Sequence, residues 1–205
     1  VNQANMLDFL VYENGRPASQ WPLRNAHLLG ADDVGVRGSV RYQDGRIRCE
    51  KNASGAAALA LQVELDGVGE LVLQTCLLPE RDEPYLLRVE LARHRLMLVY
   101  NKLEEWGLFD IDASHPVTQR KELALREFIE ALCLQGESPA EADQAAQRSL
   151  EAALDASEEL ALAHGAMMIG RKQTAGLLSQ IPIGCGVPLK QGYARLQTAL
   201  AANFD

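Results

Sequence analysis

Val40-Arg41-Tyr42-Gln43-Asp44-Gly45-Arg46-Ile47-Arg48-Cys49 is the stretch on which the fold turns. Val40 and Tyr42 precede the Asp44-Gly45 pair, Ile47 and Cys49 follow it, and Arg41, Arg46 and Arg48 fall on the opposite phase. An Asp-Gly pair between alternating runs is a strong short-range signal for a two-residue hairpin turn. The alternation predicts one buried and one wet face. Asp66-Gly67 joins Leu59, Leu61, Val63 and Leu65 to Leu71, Leu73 and Thr75 in the same way, with the apolar run reaching Leu78. Leu7 to Tyr12 and Trp21 to Leu29 read as further strands. Five or more strands in about 80 residues predict an antiparallel β-sandwich or a similar two-layer sheet.

Near Pro84 the period becomes helical. Val89, Ala92, Leu96, Val99, Leu103 and Trp106 recur three or four residues apart, and Gly107 is a plausible stop. Ser114-His115-Pro116 opens a second helix bearing Leu125, Phe128, Ile129 and Leu132, which Gly136 ends. Ser138, Pro139 and Glu141 form a capping box with proline at the first helical position. The helix beyond it is rich in alanine as far as Met168, so it can lie close to a neighbour. The pattern loosens around Gly170 to Ser179, and Ile181 to Pro188 and Tyr193 to Ala202 read as a strand and a helix with nothing in the chain to complete a parallel sheet. The predicted class is α+β. Residues 1–84 form a β-sandwich-like module, 85–175 an antiparallel helical segment and 176–205 one orphan βα unit.

Composition bounds function. The 205 residues carry 20 Lys and Arg against 28 Asp and Glu, with 47% hydrophobic residues, which describes a globular chain with a modest negative charge. That balance disfavours nucleic acid as a ligand. No apolar run approaches about 18 residues, so no membrane span is expected. Met6 reads as a natural start, and with no export signal the cytoplasm is the default location.

The familiar chemical motifs are missing. The sequence holds no GxGxxG after a strand, no GxxxxGK[ST], no HExxH, no GxSxG and no EF-hand loop, so no cofactor or metal is expected. Cys49, Cys76, Cys133 and Cys185 stand far apart without metal-ligand spacing and read as buried small hydrophobes. His27, His94, His115 and His164 fall in four separate elements and suggest surface or supporting roles. Glu104-Glu105 and Glu158-Glu159 diverge by about 100° on a helix, so neither pair suits glycosidase chemistry. Asp32-Asp33 reads as a solvated pair. Aromatics are few. Tyr12, Trp21 and Tyr42 are the candidates for a sugar-stacking surface, although Tyr42 shares its phase with Val40, which favours the core. Arg41, on the opposite face, can hydrogen-bond sugar hydroxyls or carboxylates.

Several stretches together resemble a known family. They are Met6-Leu7-Asp8-Phe9-Leu10-Val11, Val36-Arg37-Gly38-Ser39-Val40, Gly69 to Thr75, Leu77 to Tyr85, Val89-Glu90-Leu91-Ala92-Arg93 and Glu105-Trp106-Gly107-Leu108. In order and spacing they resemble the N-terminal region of multidomain bacterial proteins of glycoside hydrolase family 10, the endo-β-1,4-xylanase family. The resemblance implies a β module and a helical segment preceding a catalytic barrel, with Ile183 to Leu189 as the first barrel strand and Tyr193 to Phe204 as its first helix. It further implies a xylan-type polysaccharide or oligosaccharide and the remainder of the barrel as partners. No residue here corresponds to the family's acid/base or nucleophilic glutamates, and a whole barrel needs about 200 residues or more. The chain alone is therefore expected to be a non-catalytic portion that binds carbohydrate or braces the barrel. The alternative is an assembly module that forms a homo-oligomer through the Val89 to Trp106 stripe or the small-residue helix.

Overall fold

The computed structural model describes residues 6–52 and 54–177. Within them the chain forms β1 (Met6–Leu10), β2 (Tyr12–Glu13), β3 (Arg16–Pro17), β4 (Arg24–Leu29) and a 3-10 turn (Ala31–Asp33). There follow β5 (Gly35–Val36), β6 (Gly38–Gln43), β7 (Arg46–Lys51), β8 (Ala58–Leu65), β9 (Gly69–Gln74) and β10 (Tyr85–Leu86). The helices are α1 (Leu87–Glu105), α2 (Pro116–Leu134) and α3 (Pro139–Thr174). The class is α+β. Two compact units divide the chain, Val1–Leu162 and Ala163–Asp205. The described part of the second is helical through Thr174 and mostly exposed. The strand and helix expected at residues 181–202 lie outside the described residues.

Both hairpins form about their Asp-Gly turns. Val40 pairs with Cys49, Arg41 with Arg48 and Tyr42 with Ile47, while Leu61 pairs with Leu73 and Val63 with Leu71. Asp44 and Gly45 both take positive φ, at 52° and 76°, the left-handed geometry that this turn needs. One sheet runs β10-β1-β7-β6 and the other β5-β4-β8-β9, and together they curl into a half-barrel. The pairing is not wholly antiparallel, because β10 lies parallel to β1, with Phe9 opposite Tyr85. The long crossover through eight intervening strands makes that possible. Two strands are shorter than their apolar runs suggest. Beyond Gln74 the chain leaves the regular ladder, keeping the Thr75–Leu59 hydrogen bonds and the Ala57–Leu78 bridge, and the first strand breaks after Leu10 into the small β2–β3 ribbon.

Helix α1 ends where Gly107 takes φ 62°, and α2 begins at Pro116, capped by the His115 ring, which accepts from the Val117 N–H at 3.2 Å. The capping box at Ser138 is not formed. The Ser138 N–H already donates to the Leu134 carbonyl at 2.8 Å, so Glu141 finds no free donor to reach back to. Helix α3 also continues through Gly170 rather than loosening there.

Side-chain contacts fix the helix directions. Arg93 lies over Phe128 and Lys121 over Tyr100, while Arg120 faces Asp155 and Arg148 reaches Glu127. Rising numbers on one helix meet falling numbers on the next, so α1 with α2 and α2 with α3 are antiparallel. The alanines bring α3 close enough for the Ser149 hydroxyl to donate to the Ala124 carbonyl of α2 at 2.8 Å. Both faces proposed for assembly are covered within the chain, since Val89, Ala92, Leu96, Val99 and Leu103 of α1 and Ala142, Ala146 and Ala153 of α3 are buried. On α2, Phe128 is buried but Leu125 and Ile129 are exposed, because successive helical positions turn away by about 100°. One hydrophobic cluster runs from Leu7 and Phe9 through Leu59 and Leu61 to Leu87, Leu91 and Leu150, so the change of period at Pro84 separates strand from helix within a shared core.

Gly38 marks the corner where the chain passes from the β5 edge of one sheet to β6 of the other. A Cβ there would lie 2.3 Å from the Glu50 carbonyl oxygen and 3.0 Å from the Leu28 side chain. Backbone on one side and packed core on the other leave no cheap escape. Gly38→Ala is expected to destabilise the chain by more than about 2 kcal/mol, read as a lower urea midpoint. Gly67→Ala, whose Cβ meets nothing within 4 Å and whose cost is confined to its positive φ, should cost less.

Candidate functional site

The aromatic candidates pack against the core rather than standing as an open platform. Tyr12, Trp21 and Tyr42 are all half-buried against the core. The Tyr42 hydroxyl donates to the Ala18 carbonyl, so this residue holds the segment after β3 in place and offers no platform. Arg41 is exposed on the outer face and lies across the strand from Arg48, whose own guanidinium is 3.8 Å from Asp8. The four candidates therefore do not form one site. Trp21 alone among them lines a cleft, and Arg88, a residue that sequence reasoning missed, ties it to the Tyr12 backbone.

Arg88 sits in the first turn of α1. Its guanidinium donates to the Tyr12 carbonyl at 2.8 Å, pairs with Asp143 of α3, and lies 5.7 Å from the Trp21 ring centroid. Around this junction opens a small polar cleft of about 260 Å³, whose walls include Glu13, Asn14, Trp21, Glu64, Arg88 and Gln147. One aromatic edge among carboxylate, amide and guanidinium groups can receive a hydroxyl-rich ligand, because each sugar hydroxyl both donates and accepts.

The larger cleft, about 690 Å³, lies between the end of β9 and α1. There Gln74 Nε2 stands 3.3 Å from the Asp33 carboxylate and 3.2 Å from His94 Nε2, a chain assembled from the 3-10 turn, β9 and α1. Burial pushes the His94 pKa down, only partly offset by Asp33, so the ring is neutral at pH 7. The reading of His94 as a supporting residue and of Asp32-Asp33 as merely solvated overlooked this contact. No local spacing announces it, since the three residues come from three separate elements.

The cysteines divide. Cys49 is buried, and desolvation with the nearby Asp8 charge pushes its pKa up to about 12, so it is inert packing. Cys76 is half-buried and also raised, mainly by burial. Cys133 is exposed, contrary to expectation, because it follows Leu132 and Ala131 out of the inward face of α2. Among the described residues no three His, Cys, Asp or Glu side chains are grouped to hold a metal ion, and no helix is long and apolar enough to cross a membrane.

Asp143 is nearly fully buried, and its Oδ1 has no hydrogen-bond partner. Desolvation outweighs the attraction of Arg88 and lifts its pKa to about 6 from an ordinary 3.8. A carboxyl raised on folding contributes fully below about pH 4 and loses that contribution as pH rises through 6. The stability of the wild type relative to Asp143→Asn should therefore fall by on the order of 3 kcal/mol between about pH 4 and pH 7 in urea melts. A flat difference would show that the Arg88 contact dominates instead. No family model, curated protein or solved structure matches the chain.

Proposed function

We propose that this chain is the non-catalytic N-terminal portion of a family-10-like glycoside hydrolase, and that its cleft beside Trp21 binds a xylan-type saccharide. The observation that carries the reading is the convergence of Trp21, Glu13, Asn14, Glu64, Arg88 and Gln147 on one small polar cleft. The resemblance of the strand and helix motifs to that family supplies the substrate class. Arg88 lies over the indole, so the ring offers only part of a stacking surface and the polar groups carry most of the recognition. Carboxylates in this setting accept from sugar hydroxyls. The helices extend the sheet's core and give the cleft a rigid floor through Arg88 and Leu150, which suits a segment that also braces a following barrel.

Calorimetric titration with xylotetraose tests the reading. Binding in the micromolar to millimolar range is expected, with Trp21→Ala and Glu64→Gln each weakening it by about tenfold or more. Glu64 is exposed on β8, so its variant keeps the fold and isolates the loss of a contact. No heat at millimolar saccharide would leave only the bracing role, and hydrolysis of xylan by the purified chain would overturn the non-catalytic assignment.

A further inference from the structure

Arg95 is a cation without an anion. It is half-buried on α1, its Nε is enclosed with no hydrogen-bond partner, and among the described residues no carboxylate pairs with it. The contrast with Arg88 explains why. Seven residues separate them, two helical turns, so both project toward the same side of α1. Arg88 meets Asp143 on α3, which runs alongside α1 in the same direction, whereas α3 presents Ser157 and Leu160 beside Arg95, neither of them anionic. A guanidinium withdrawn from water normally finds a partner, because its desolvation is otherwise uncompensated. Burial alone acts on the Arg95 pKa and lowers it, with no neighbouring charge offsetting it.

Arg95 opens on the 690 Å³ cleft between β9 and α1, whose size is ordinary for a small-molecule site. The walls there are largely apolar, including Leu73, Leu91 and Leu98, while His94 and Gln74 supply neutral hydrogen-bonding groups. We propose that this cleft binds a small organic monocarboxylate, with the carboxylate on Arg95 and an apolar body against Leu73, Leu91 and Leu98. Guanidinium and carboxylate match as a planar, two-pronged pair. Asp32 and Asp33 also line the cleft, and their charge disfavours a multiply charged anion such as inorganic phosphate. This site does not rest on the saccharide reading, although Leu91 of α1 lines both clefts.

The test uses the whole chain titrated by calorimetry with 4-phenylbutyrate, 4-phenylbutanol and inorganic phosphate. The carboxylate should bind at least about tenfold more tightly than the alcohol, and phosphate should bind more weakly still. Arg95→Met should abolish the preference for the carboxylate while raising the urea midpoint, since it removes a buried unpaired charge in favour of an apolar chain of similar length. A folded variant that keeps the preference would overturn the proposal. Equal affinity for acid and alcohol in the wild type, tighter binding of phosphate, or no binding of the acid at millimolar concentration would do so without any variant.

Discussion

The two-residue parallel pairing of Tyr85-Leu86 with Phe9-Leu10 is the joint on which the rest of the unit depends. Among the described residues it is the point where the helical layer is continuous with the sheet, because Leu87 begins α1 directly after β10. So short a ladder contributes few hydrogen bonds and needs side-chain support. Phe9 and Tyr85 stack with centroids 5.8 Å apart, the Arg81 guanidinium lies 3.5 Å above the Tyr85 ring, and the Tyr85 hydroxyl donates to the Pro79 carbonyl at 2.8 Å. Aromatic and cation–π contacts of this kind add about 0.5 to 2 kcal/mol each to the burial they accompany. The joint is therefore held by rings and a guanidinium rather than by strand length.

Fixing the start of α1 fixes both clefts. One residue past Leu87, Arg88 reaches back to the Tyr12 carbonyl and across to Asp143, which ties the small β2–β3 ribbon to α3. Two turns from the helix start, His94 and Arg95 arrive beside the end of β9, where the chain has just left the sheet. That departure is what makes room. After Gln74 the backbone N–H of Thr75 still donates to Leu59 at 3.0 Å and the Thr75 hydroxyl accepts from the Leu59 N–H at 3.0 Å, so the last rung is closed by a side chain. Beyond it the sheet no longer fills the space against α1.

The hairpins, the change from strand to helix and the three helix starts were legible because each is written in neighbouring residues: Asp-Gly between alternating runs, a three-to-four-residue stripe, proline after a capping residue. The parallel β1–β10 pair was not, since Phe9 and Tyr85 are 76 residues apart and a two-residue strand has no period to read. The capping box at Ser138 shows the converse failure. Its sequence is right, yet the preceding turn uses the Ser138 N–H first. Of the site candidates, Trp21 reached a cleft, whereas Tyr42 was claimed by the Ala18 carbonyl, as its shared phase with Val40 had suggested.

The groups that organise both clefts were hidden for one physical reason. Arg88 and Arg95 look alike in sequence, as basic residues on a core-facing helix, and a snorkelling arginine is the ordinary interpretation of each. What distinguishes them is what α3 presents beside each, the Asp143 carboxylate at Arg88 and only Ser157 and Leu160 at Arg95. Aspartate in an alanine-rich helix reads as a solvated residue until the neighbouring helix is placed, and leucine there reads as core. Only when α1 and α3 run side by side does the first become a partner and the second an omission. The same helix then carries one cation that is neutralised internally, closing the ribbon and α3 together, and one left for an external anion. A helix held rigid by the first is well suited to present the second, because the ordering cost of placing Arg95 has already been met by folding.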